Sequence, residues 1–129
     1  MIEIIVPDFV AIKMDRISTE ERYPSFGINI GIELITFSGK KEIQLNSVWF
    51  EQKSWDEFIS RLGNFENSGS AILSDMSEDL KIKITREEKS IYFYLSGNEK
   101  FTNDEFGFQY KRSIDRDDLE AIAAAFRRL

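Results

Sequence analysis

Carboxylates are the most abundant chemistry-bearing side chains of this chain, with 23 Asp and Glu against 17 Lys and Arg. Outside the helix starts, the stretches singled out are Asp75, Glu78 and Asp79 in SDMSED, then Glu87-Glu88, then Asp104-Glu105. Oxygen ligands grouped in this way suit calcium or magnesium. The D-x-[DN]-x-[DN]-G spacing of a calcium loop is missing, however, so the stretches read as solvated turns and no metal or cofactor is expected. Two carboxylates could also serve a glycosidase as acid and base, but among so many acids some pair arises by chance and nothing selects one. The chain has no His and no Cys. That excludes Ser-His-Asp catalysis, thiol nucleophiles and the common zinc sites. Its 7 glycines form neither GxGxxG nor GxxxxGK[ST], so a phosphate-cradling loop is unsupported, and Gly39-Lys40-Lys41 reads as a hairpin turn. Trp49, Phe50, Trp55, Tyr92 and Tyr94 could line a ligand pocket, although aromatic residues at strand and helix spacing read first as core. The residues thus point away from an enzyme. They leave Asp75, Glu78, Asp79, Glu87, Glu88, Asp104 and Glu105 as candidates for contact with a partner.

The net charge is −6, and each half of the chain carries −3: residues 1–65 hold 7 basic and 10 acidic side chains, residues 66–129 hold 10 and 13. Acidity spread in this way argues against nucleic-acid binding, which rests on neutralising phosphates. It permits a basic protein partner, and a merely solubilising surface is the plainer alternative. The lack of cysteine fits a cytoplasmic protein. No apolar run reaches membrane-span length, and MIEIIVPDF has neither the basic start nor the long apolar stretch of a signal peptide. A length of 129 residues implies one domain, 1–129. Nothing in the pattern sets an oligomeric state.

The elements that must position these groups follow from apolar spacing. Ile2, Ile4 and Val6 alternate, Pro7-Asp8 interrupts, and Val10, Ile12 and Met14 alternate again, which gives two short strands or one kinked strand. Residues 18–25 read as a polar loop. Ile28, Ile30, Ile32 and Leu34 form the longest strand signal, and the change of parity at Ile35 and Phe37 suggests a bulge near Leu34-Ile35. Ser38-Gly39-Lys40 turns the chain into a strand that leads to a helix. Ser54 as N-cap with Glu57 makes a capping box, Trp55, Phe58, Ile59 and Leu62 form the buried face, and Gly63 is placed to end the helix. Residues 70–74 read as a short strand, and Leu80, Ile82 and Ile84 mark another. Ile91 to Leu95 is apolar on both parities, as in a strand covered on both faces. Residues 97–104 read as a loop. Phe106, Phe108 and Tyr110 mark the last strand. Asp115 caps a final helix with Leu119, Ile122, Phe126 and Leu129 on one face, and Ile114 and Leu119 can form a hydrophobic staple. The expected fold is α+β: a mostly antiparallel sheet of about six strands with two helices packed on one face.

From Phe26 onward this order of elements resembles the WapI-type family of bacterial immunity proteins. The shared features are the long alternating strand, a second strand running into Ser54–Leu62, the small residues Gly69-Ser70-Ala71, L-x-I-x-I at Leu80 to Ile84, an aromatic strand, F-x-F-x-Y at Phe106 to Tyr110, and the D-x-x-x-L helix start at Asp115 to Leu119. The resemblance implies a non-enzymatic role, binding and blocking a cognate toxin inside the producing cell. Two other classes stay open: a small-molecule or lipid-binding domain with a pocket between helix and sheet, and a structural or assembly subunit.

Overall fold

The computed structural model describes residues 2–6, 10–100 and 103–128. Pro7-Asp8 and Leu129 lie outside them. The chain folds as α+β with antiparallel sheets. The single sheet of about six strands expected from the spacing is corrected to two sheets of four strands each among the described residues. The first is β1 (Ile2–Val6), β2 (Val10–Glu20), β3 (Ser25–Thr36) and β4 (Gly39–Glu51), in chain order. The second is β5 (Ser70–Ser74), β6 (Leu80–Glu87), β7 (Ser90–Lys100) and β8 (Glu105–Ile114), again in chain order. Every pair is an antiparallel hairpin, the connection that short turns allow.

What divides the sheets is the segment between β4 and β5. It holds α1 (Gln52–Gly63) and the single turn α2 (Phe65–Ser68), and α3 (Arg116–Arg127) closes the chain. The two long helices do not share one face of one sheet. Instead α1 lies alongside β5, α3 alongside β1, and the helices pack on each other. One core runs through both sheets and both long helices. Its centre is a set of interlocked rings: Trp55 stands edge-on to Phe26, Phe50 and Phe126, at 5.0, 5.4 and 5.4 Å between centroids. Phe58 meets Phe126 in the same way, the arrangement that the charge distribution of aromatic rings favours. Among the described residues no helix is long and apolar enough to cross a membrane.

Local details depart from the spacing argument where the backbone found another partner. Helix α1 begins at Gln52, whose N–H donates to Pro24 O at 2.9 Å. Ser54 therefore lies inside the first turn, no side chain caps the helix, and Gly63 is helical with Asn64 as the C-cap. In α3 the Asp115 cap is as expected, and Asp118 completes a reciprocal capping box. Residues 18–20 belong to β2, and 97–100 to β7, rather than to loops. No register shift occurs at Leu34-Ile35, since both residues pair regularly with Lys41 and Lys40. The shifts lie elsewhere. Asn46 and Ser47 together face Asn29, whose side-chain oxygen accepts from Ser47 N–H at 3.0 Å. Ile17 is the extra residue of β2 between Arg16 and Ser18. Residues 70–74 form β5 as expected.

Candidate partner-binding surface on the second sheet

Leu73, Leu80, Ile82, Ile84, Phe93 and Leu95 point the inner face of the second sheet into the core. Helix α1 borders the opposite face at β5, where an Arg61 guanidinium N–H donates to Ser70 O at 3.1 Å and Ser54 and Glu57 lie beside Ile72 and Ser74. Alternation therefore displays there, row by row across the strands, Ser70–Thr85–Tyr92–Ser113, Ile72–Lys83–Tyr94–Lys111 and Ser74–Lys81–Ser96–Gln109. The expectation that β7 is covered on both faces is thus replaced: Phe93 and Leu95 are buried, whereas Tyr92 and Tyr94 are half-buried under their neighbours' side chains. Lys111 Nζ stands 4.3 Å over the Tyr92 ring and Lys83 Nζ 5.2 Å over Tyr94, contacts that favour a cation on the ring face. Ile72 is 49% exposed in the same row.

The acidic residues divide between the two ends of this sheet. At one end the β5–β6 turn and the β7–β8 hairpin bring Glu78, Asp79 and Glu105 around a groove of about 700 Å³ that also includes Lys81, Asn98 and Phe108. Asp104, exposed, precedes Glu105 in the same hairpin. Asn98 ties the two walls together: its N–H donates to Asp79 O at 2.8 Å and its side-chain amide to Glu105 Oε1 at 2.8 Å. Gly107, which has no side chain, lines the groove beside Asn98. At the other end lie Glu87, the last residue of β6, and Glu88, in the turn to β7.

Besides Glu105, which accepts from the Asn98 amide, two of the acidic candidates have roles within the chain. Asp75 is only 6% exposed, and its Oδ1 accepts from Asp79 N–H at 2.7 Å and Leu80 N–H at 2.9 Å. Its carboxylate closes the turn that presents Glu78 and Asp79, so it is corrected from a contact residue to a positioning one. Glu87 accepts from the Tyr94 hydroxyl and from Lys111 Nζ. The Tyr94 hydrogen bond, with Lys111 and Lys83 close by, holds its carboxyl below the ordinary 4.5. The Tyr94 hydroxyl is likewise the main influence raising Lys111, with Glu87 adding to it. The groove carboxylates Glu78, Asp79 and Glu105 are exposed, as is Asp104 beside them in the hairpin. Among the described residues no three such groups converge in a way that could hold a metal ion. The lysine and tyrosine rows are the feature that spacing missed. Their signal was the alternation that sets Lys83 opposite Tyr94 and Tyr94 opposite Lys111, legible only once the hairpin register is known.

Comparison with protein-family models, with curated proteins and with solved structures finds no match for this chain.

Proposed function

We propose that this chain is a non-enzymatic protein-binding module of the immunity type, which blocks a basic cognate toxin domain with the acidic end of its second sheet. The observation that carries this reading is the groove itself. Two loops far apart in sequence are joined through Asn98, so that Glu78, Asp79 and Glu105 line it together, with exposed Asp104 just before Glu105 in the same hairpin. A rigid acidic rim next to exposed Ile72 and the tyrosines supplies the two ingredients of a specific interface, steering charge and apolar contact area. A toxin that attacks nucleic acid presents a basic cleft, the complement of this rim. The alternative of a ligand pocket between helix and sheet is less well supported, because Trp55, Phe58 and Phe126 fill that space.

The test is co-expression with a toxin domain found in the gene's immediate neighbourhood. The expected result is a stable complex and protected growth, with protection lost in a Glu78→Lys/Asp79→Lys variant whose circular dichroism is unchanged. Protection undiminished by that variant would remove the acidic rim from the mechanism, and the absence of any complex would remove the immunity reading altogether.

A further inference from the structure

Four strands lie at sheet edges, and three of them have a neighbour. Helix α3 lies along β1, α1 lies along β5, and the β4 edge receives Met76 N–H on Trp49 O at 2.7 Å. Among the described residues β8 pairs with β7 alone. The core also stops short of it: Phe106 is 53% exposed, and Phe108 and Tyr110 are half-buried. An exposed edge with an apolar stripe is a template for another strand.

The sequence of that edge, Asp104-Glu105-Phe106-Gly107-Phe108-Gln109-Tyr110-Lys111-Arg112, reverses its charge about Phe108. We infer that β8 pairs antiparallel with β8 of a second copy, on a two-fold axis through Phe108, to give one continuous eight-stranded sheet. In this register Glu105 faces Lys111 of the second copy and Asp104 faces Arg112. Phe106 faces Tyr110, and the two Phe108 side chains meet. Each opposite-charge pair and the Phe106–Tyr110 pair occur twice by symmetry, and the Phe108 pair once on the axis, as a self-complementary interface requires. Moving the register by two residues sets Gly107 opposite Lys111 and breaks the charge pairing. The inference stands on the edge strand and needs no toxin. Dimerisation engages Asp104 and Glu105, so a partner that needs the whole acidic rim competes with it.

The experiment is sedimentation velocity over a dilution series. The chain should sediment as a dimer that dissociates on dilution. Glu105→Lys and Lys111→Glu singly set like charges face to face at two places each, and each should weaken the dimer by about tenfold or more, a change of at least roughly 1.4 kcal/mol. The double variant Glu105→Lys/Lys111→Glu restores opposite charges in the same register and should recover the dimer. Circular dichroism of each variant identifies loss of fold, and recovery in the double variant distinguishes pairing from local damage at Lys111. A wild-type monomer at every concentration, or a dimer indifferent to both single reversals, would overturn the inference. So would single-variant losses that the double variant fails to restore.

Discussion

Asp75 and Glu87 show how little a carboxylate's sequence position says about its work. Both lie in acidic stretches, yet one is buried under two backbone donors and the other is held by a phenol and an ammonium group. Removing the Asp75 acceptor leaves the Asp79 and Leu80 N–H groups without it, and Leu80 is itself buried. Asp75→Ala should therefore cost about 1–3 kcal/mol, the range for stranding buried donors, read as a shift in denaturation midpoint. Asp75→Asn, which keeps an acceptor oxygen, should cost less. Glu87 answers to pH. Its folded-state carboxyl lies below the ordinary 4.5, chiefly because of the Tyr94 hydrogen bond. A depressed carboxyl contributes stability that is present above its unfolded value and is lost as pH falls through its folded one. Tyr94→Phe should move the Glu87 titration upward toward 4.5, as followed by the side-chain carbon shift in NMR; an unmoved midpoint would mean that Lys111 and Lys83 hold it instead.

Among the elements, the apolar faces were legible and several of the ends were not. The buried faces of α1 and α3 and the alternation of β3, β6 and β8 follow from period alone. The α1 start did not, because the chain near Pro24 supplies the acceptor for Gln52 N–H and removes the need for a serine cap. Nor did the bulge of β4, although its trace is in the sequence: Leu45 and then Val48 and Phe50 are buried, a change of parity that needs one extra residue between them. The parity change at Ile35 suggested a bulge where there is none, since Ile35 and Phe37 simply face outward near the hairpin turn. Ser54→Ala should accordingly be almost silent in denaturation, whereas Asp115→Ala should cost about 1 kcal/mol through its lost cap. Leu62 is buried on the α1 face, and Leu62→Ala should cost about 2–5 kcal/mol; an unchanged midpoint would mean that this face does not carry the packing.

At the scale of the whole molecule, the site was legible only as charge. The three acidic stretches are alike in sequence, and what separates them is topology, which places the Asp75–Asp79 turn and the β7–β8 hairpin at one end of the second sheet and Glu87-Glu88 at the other. Strand β6, Leu80–Glu87, spans that gap, roughly 23 Å at about 3.3 Å per residue. The Debye length in physiological salt is about 8 Å, so in solution the two ends act as independent charges. If the acidic rim steers a basic partner, reversing Glu78 and Asp79 should slow association and flatten its dependence on salt. Reversing Glu88, which tips the distant turn, should leave both almost unchanged, and Glu87 is an unsuitable control because its reversal also breaks the Tyr94 and Lys111 contacts. Stopped-flow association with such a basic partner at low and high salt separates these arms. A salt slope that falls equally for rim and distant-turn variants would mean that the partner responds only to net charge, and that the groove does not orient it.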